Sequence, residues 1–222
     1  DWTLSRGLGD VYKRQWLGDL ARKWQSQLIP THRVLKRAGN HRYSDQMKIL
    51  IVSCSLHPES RSRRLAGELE SIWRATGRAE ISTLDLRDLE LPACDGTSAY
   101  GHPDTVKLQG IFKDADAVVL AVPIYNYDIN AAAKNAIELA GRQLTGKVAG
   151  FLCSAGGERS YMSVMAVANS LMLDFRTVIL PRFVYAGKSD VSDSGELSNE
   201  IRERVTQFGE EFLTLAQALQ SA

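Results

Sequence analysis

The sequence predicts a doubly wound α/β fold, with a parallel sheet and helices on both faces. Three observations predict it. Short, wholly apolar runs at residues 49–52, 117–122 and 148–153 have the length and composition of parallel strands buried on both faces. Segments with helical spacing of apolar residues separate them. Each run ends in a polar or glycine-bearing stretch, and open parallel sheets bind ligands at those strand ends. With 222 residues, 44% of them hydrophobic, the chain is long enough to bury one such sheet.

Residues 5–15, which include Asp10-Val11-Tyr12-Lys13-Arg14-Gln15, match the translation of a sequencing-library adapter, and residues 1–15 are set aside from fold reasoning as adapter-like. In residues 16–46, Trp16, Leu17, Leu20 and Trp24 fit one face of a short helix, but Gly18, Pro30 and Gly39 interrupt it. Residues 1–46 are therefore expected to be a non-native or disordered extension. Met47 is the expected natural start, and residues 47–222 form the expected domain.

From there the elements follow in order. Leu65, Leu69, Ile72 and Trp73 recur at helical spacing in a segment that stops near Gly77. Residues 79–86 alternate apolar and polar side chains, as in a strand near the sheet edge. A loop at 91–103 leads to a helix over 104–114, then to the apolar run 117–122, the best candidate for a central strand. An alanine-rich helix is expected over 130–140, the next strand over 148–153, and then a helix rich in Met and Val. Residues 177–180, joined by 183–185, make a fifth strand. The closing helix, 196–219, carries Ile201, Val205, Phe208, Phe212 and Leu215 on one side.

Net charge is +1, but residues 47–222 hold 18 Lys and Arg against 22 Asp and Glu, a net of −4. A mildly acidic body argues against nucleic acid as partner, because phosphate backbones reward clustered basic residues. Cys54, Cys94 and Cys153 are too few and too scattered for a disulfide framework or a zinc site, so no metal is expected and a reducing cytoplasm is. No run is long enough for a membrane span, and the N-terminal residues lack the apolar core of a signal peptide.

The stretch after the first strand, residues 53–62, reads as a phosphate cradle. A helix beginning near Arg61 leaves N–H groups unpaired in its first turn, and its dipole favours an anion there. Ser55, Ser60 and Ser62 add hydroxyls, while His57 and Arg61 add positive charge. The alternative is structural: Ser60 caps the helix and the other serines shape the turn. The second stretch, Pro123-Ile124-Tyr125-Asn126, supplies an aromatic and an amide. Taken alone, Tyr125 also reads as a core or edge aromatic and Asn126 as a turn residue. The third, Ser154-Ala155-Gly156-Gly157, has glycines that let backbone approach a flat ring.

Together these stretches resemble the NAD(P)H-dependent FMN reductases of flavodoxin-like fold, over residues 47–187. The family's first loop reads Gly-Ser-x-Arg-x-x-Ser, and Cys54-Ser55-Leu56-His57-Pro58-Glu59-Ser60-Arg61-Ser62 follows it with Cys for Gly and His for Arg. Its second motif, Pro-x-Tyr-Asn with a following Lys-Asn-Ala-Ile, is matched by Pro123-Ile124-Tyr125-Asn126 and Lys134-Asn135-Ala136-Ile137. The third loop matches at 154–157. The resemblance implies five parallel strands in the order 2-1-3-4-5, and a homodimer or homotetramer. It implies FMN as cofactor, NADPH or NADH as co-substrate, and a quinone, azo compound, flavin or chelated metal as electron acceptor. By resemblance Ser55, His57, Ser60 and Ser62, with Arg61 beside them, hold the FMN phosphate. Pro123, Ile124, Tyr125 and Asn126 then line the ribityl chain and ring, and Ser154, Ala155, Gly156 and Gly157 flank the pyrimidine end. Unpaired N–H groups at the start of the helix after Gly157 would stabilise charge on the reduced flavin. The flavin carries the chemistry, so no side chain is assigned as an acid or base.

The departures from the pattern are informative. His57 exchanges a permanent cation for an imidazole, which predicts weaker phosphate binding as pH rises. Cys54 and Cys153 both read as buried small hydrophobes rather than reactive thiols. Two other functions fit the fold. A phosphatase of the low-molecular-weight type needs a cysteine thiolate and an arginine where Ser60 stands, and Arg61 lies one residue too far along. A flavodoxin-like electron carrier would carry a Thr- and Gly-rich first loop and a strongly acidic surface, and this chain has neither.

Overall fold

A computed structural model describes residues 46–157, 159–192 and 194–220. The expectations for residues 1–45, adapter match included, lie outside the described residues. Element order is β1 (Lys48–Ser53), α1 (Arg61–Thr76), β2 (Glu80–Asp85), α2 (Pro103–Asp114), β3 (Ala117–Tyr125), β4 (Asp128–Ile129) and α3 (Ala131–Ala140). Then come β5 (Val148–Ser154), α4 (Met165–Phe175), β6 (Val178–Ile179), β7 (Val184–Ala186) and α5 (Asn199–Gln220).

The sheet runs β2-β1-β3-β5-β6, with all these neighbours parallel. That is the expected order, but the sheet has seven strands rather than five. The fifth position is divided: β6 stops before Pro181, whose ring denies a ladder hydrogen bond, and the chain returns to β5 as the parallel strand β7. The second extra strand is β4. It pairs antiparallel with the end of β3, because β3 continues through Pro123, Ile124 and Tyr125, which the sequence placed in a loop.

Side-chain alternation along the strands sorts the core into two layers. Leu50 and Val52 point to the layer holding Leu108 and Phe112 of α2, Ile137 of α3 and Leu171 of α4. Ile49 and Ile51 point to the other, with Leu65, Leu69 and Trp73 of α1 and Phe208 and Phe212 of α5. Gly150 lets α5 lie directly on β5, since a Cβ there would meet the Phe208 ring at 2.6 Å. Among the described residues no helix is long and apolar enough to cross a membrane.

Two caps fix the ends of α1. The Ser60 hydroxyl accepts a hydrogen bond from the N–H of Arg63, and Gly77, at φ 61°, closes the helix in the left-handed conformation. The structural reading of Ser60 is thus met in full, and any ligand role is additional to it. Asn135, from the Lys-Asn-Ala-Ile motif, is likewise structural. Its Oδ1 accepts from the N–H of Cys94 at 2.8 Å and its Nδ2 donates to the carbonyl of Pro92 at 2.9 Å, which pins the loop before α2 onto α3. Asn135→Ala is expected to cost about 1–3 kcal/mol, by stranding those two backbone groups. A shifted urea midpoint with FMN affinity unchanged checks this.

Candidate functional site

The ends of β1, β3 and β5 meet at one edge of the sheet. Between them opens a cleft of about 350 Å³, lined by Ser55, His57, Ser60, Arg61, Pro123, Ile124, Tyr125, Ser154, Ala155 and Gly156 among others. Ten of the thirteen residues singled out by sequence therefore line one cleft. The exceptions are Ser62, Asn126 and Gly157.

The first loop is shaped by a residue the sequence did not single out. Arg63, on the first turn of α1, donates from Nη1 to the carbonyls of His57 at 3.1 Å and Pro58 at 2.9 Å. From Nη2 it donates to the carbonyl of Ser55 at 3.0 Å, and its Nε donates to Asp85 at 2.8 Å. One guanidinium fork thus gathers the loop carbonyls on a single side. The N–H of Leu56 is trans to the Ser55 carbonyl across a planar peptide, so it faces away from Arg63. The backbone N–H groups of Leu56, Ser60, Arg61 and Ser62 have no hydrogen-bond partner among the described residues. Three of these donors belong to the N-cap and first turn of α1, where unpaired N–H groups and the helix dipole favour an anion.

Asp85 completes the clamp. Burial alone would raise its pKa, but hydrogen bonds from Arg87 and Arg63, together with the charge of Arg63, hold the carboxyl below the ordinary range. Arg61 does a different job from Arg63: its Nη1 donates to the carbonyl of Ala155 at 2.9 Å and so ties the first loop to the third. Ser62 is fully buried, and its hydroxyl pairs with that of Ser60 at 2.9 Å. It acts on the cleft only through Ser60. His57 accepts the N–H of Glu59 on Nδ1 at 3.1 Å. That bond holds the neutral ring in the Nε2–H form, so a donor toward an anion survives without a positive charge.

The second loop is a two-residue hairpin. Asn126 and Tyr127 occupy its central positions at φ 52° and 64°, the signature of a type I′ turn. Asn126 is favoured there and sets the turn rather than lining the cleft. Tyr127 adopts the same region at a conformational cost. Behind the hairpin, Asn130 donates from Nδ2 to the carbonyl of Cys54 at 2.7 Å, and its N–H bonds the carbonyl of Pro123 at 3.1 Å. It joins the ends of β1 and β3.

In the third loop, Tyr185 of β7 donates its hydroxyl to the carbonyl of Gly157 at 2.6 Å and pairs with the Ser160 hydroxyl at 2.6 Å. The next helix starts only at Tyr161, as a 3₁₀ turn, and becomes α-helical at Met165. Among the described residues no helix N-terminus abuts Gly157, contrary to expectation, because residues 159–160 form a turn. N–H groups near the third loop therefore belong to irregular backbone.

Both strand-end cysteines are packing residues. Cys54 is 1% exposed, and burial, with a smaller contribution from the charge of Asp85, pushes its thiol far up. Burial pushes the Cys153 thiol up to about 12. Phosphatase chemistry needs a thiolate, and Cys54 remains a thiol at physiological pH.

A parallel sheet with this strand order, and unpaired N–H groups at a helix start beside a cleft flanked by an aromatic hairpin and a small-residue turn, defines a flavodoxin-like fold with a cleft at its strand ends. The profile of NADPH-dependent FMN reductases matches residues 47–190. An NAD(P)H-dependent FAD/FMN reductase of Geobacillus thermodenitrificans is 31% identical over 179 residues, covering 79% of this chain and 96% of that protein. The chain therefore belongs to the NADPH-dependent FMN reductase family, as an oxidoreductase with FMN as cofactor and NAD(P)H as co-substrate.

Solved structures agree on the fold. An oxidoreductase from Corynebacterium diphtheriae superposes with a TM-score of 0.64 at 20% identity, covering 79% of this chain and 99% of that one. A flavoenzyme NAD(P)H:(acceptor) oxidoreductase from Paracoccus denitrificans also reaches 0.64, at 21% identity, covering 78% and 98%.

Proposed function

We propose that the cleft binds FMN with its phosphate on the unpaired N–H groups of the first loop, aided by Ser55, Ser60 and the Nε2–H of His57. The observation that carries this reading is the convergence of three strand-end loops on one cleft, with the unpaired backbone N–H groups of Ser60 and Arg61 in its first loop. The donor set suits a phosphate: N–H groups, hydroxyls and an imidazole, with the charge of Arg61 adjoining. Pro123, Ile124 and Tyr125 flank the ribityl chain and ring, and Ser154 to Gly157 lie at the pyrimidine end. When bound, FMN supplies the atom that accepts hydride from the nicotinamide and passes electrons to a small-molecule acceptor. The chain's own residues anchor and orient it. Arg63 and Asn130 set the loops, Arg61 couples the first to the third, and Tyr185 holds the third in place.

Removing the Ser60 hydroxyl tests the phosphate assignment. Ser60→Ala is expected to weaken FMN about tenfold while weakening riboflavin much less, since a hydrogen bond to a charged group contributes about 1.5–3 kcal/mol. Ser62→Ala acts indirectly and should have the smaller effect. Equal losses for FMN and riboflavin would contradict the assignment. A colourless protein that cannot be reconstituted with FMN would defeat the reading as a whole.

The catalytic unit is proposed to be residues 47–222, in a reducing cytoplasm suited to three free cysteines. Assembly is proposed as homo-oligomeric. The β3–β4 hairpin adjoins the 3₁₀ turn Tyr161–Val164, and the two expose Tyr125, Tyr127, Tyr161 and Met162. A second copy would cover these side chains at the mouth of the cleft. Sedimentation of the wild type and of Met162→Glu checks this, with dissociation expected in the variant.

A further inference from the structure

Across the first loop from the cleft lies a second cavity, of about 460 Å³, that the flavin reading leaves unused. Its lining includes Pro58 and Ser60 from the loop itself, Arg63 and Arg64 of α1, Arg87 after β2, and Arg202 of α5. The two cavities share Ser60 and so adjoin across the first loop. In a body of net charge −4, four arginines converge here against the carboxylates of Asp85 and Glu68.

The arginines are not equivalent. Arg63 is spent on the loop carbonyls and Asp85, and Arg87 on Asp85. Arg202 donates from Nε to the carbonyl of Leu197 at 3.2 Å and keeps only a loose 3.5 Å ion pair with Glu68. Arg64 is exposed, and its guanidinium has no hydrogen-bond or ion-pair partner among the described residues. Its guanidinium lies against the backbone of Gly195, where a Cβ would come within 3.0 Å of it. Gly195, at φ 84°, provides a turn that leaves room for the guanidinium. The groove thus holds a positioned, uncompensated cation beside a second, weakly paired one.

We propose that this groove is a subsite for the phosphates of an adenine nucleotide running around the first loop from the flavin site. Two ligands carry that chemistry: FAD, whose adenosine phosphate continues from the phosphate that FMN ends on, and NADPH, whose adenosine bears an additional phosphate. Arg64 and Arg202 are the specific contacts, as guanidinium forks suited to phosphate oxygens. The inference rests on the FMN phosphate lying on the first loop.

The test titrates the full chain, stripped of flavin, with FMN, FAD and ADP by calorimetry, and measures KM for NADPH and NADH. It compares wild type with Arg64→Ala and Arg202→Ala. Both arginines are substantially exposed surface residues, so the variants should fold. If FAD occupies the groove, each variant weakens FAD and ADP about tenfold and leaves FMN within twofold. If NADPH occupies it, each variant raises KM for NADPH about tenfold, weakens ADP, and leaves NADH and FAD unchanged. Unchanged FAD, ADP and NADPH together would overturn the subsite, as would a loss for FMN as large as that for FAD. Failure of the wild type to bind FMN at all is a separate result, and would instead overturn the flavin reading.

Discussion

Replacing Arg63 by alanine is expected to weaken FMN binding by about 10- to 100-fold, although Arg63 does not line the flavin cleft. Its fork holds three carbonyls of the first loop and the carboxylate of Asp85. Without it those carbonyls lose their donor, Asp85 keeps only Arg87, and the loop must sample other conformations before presenting its N–H groups to a phosphate. Preorganisation is lost rather than a contact. A hydrogen bond to a charged group contributes about 1.5–3 kcal/mol, so this range of affinity corresponds to the net loss of about one of them. Arg63→Lys should not rescue, because an ammonium cannot span three carbonyls and a carboxylate in one plane. Fluorescence titration with FMN and riboflavin measures the effect. Because the phosphate end is disordered most, FMN should suffer more than riboflavin, and a wild-type FMN affinity in Arg63→Ala would show that the loop organises itself without the clamp.

Acid gives a second view of the same clamp. The depressed pKa of Asp85 means that its folded form holds the proton less readily than its unfolded form. Its stabilising contribution is fully present above the ordinary aspartate range and is lost as pH falls through the lowered value. The wild type should therefore keep the loop intact well into acid, and Arg63→Ala should lose stability at a higher pH than the wild type.

The largest stability effect is expected at Trp73. Its side chain is 1% exposed, packs on Phe212 with ring centroids 5.5 Å apart, and donates its Nε1–H to the carbonyl of Gly209 at 3.2 Å. Gly209 is required by that approach, since a Cβ there would lie 3.0 Å from the indole nitrogen. Trp73→Ala removes the indole between α1 and α5 and leaves both a cavity and an unpaired carbonyl. A loss of about 3–5 kcal/mol is expected, a large share of the 5–15 kcal/mol typical of a domain. Trp73→Phe keeps most of the volume and isolates the hydrogen bond, at about 1 kcal/mol for the bond plus the packing difference. Urea unfolding measures both. If Trp73→Ala cost under 1 kcal/mol, the α1–α5 layer would not be the cooperative unit described here.

Legibility from sequence followed the range of the interactions. The runs at 117–122 and 148–153 could be read as central strands because burial on both faces leaves no polar positions in the chain. The Ser60 cap and Gly77 stop were equally plain, being local to one helix. Pro123 to Tyr125 were placed in a loop because their pairing partners, Ser154 across the sheet and Asp128 across a two-residue turn, answer to a register that periodicity does not encode. The same limit explains Ser62 and Asn126. Residue type suggested ligand contacts, but helix phase turned Ser62 inward, and the I′ turn used Asn126 for its backbone.

What the sequence determined by itself was the alternation of strand and helix, the three strand-end motifs, and through them the family. Those properties depend on residue type and on spacings of a few residues, so they survive without coordinates. Tertiary structure alone decided that Arg63, Asp85, Asn130 and Tyr185 shape the cleft and that Arg64 and Arg202 line one groove. Each of these roles joins residues from different elements, and a guanidinium or hydroxyl has the same appearance in a sequence whether it faces water, a carbonyl or a phosphate. Only the folded chain determines which of these it meets.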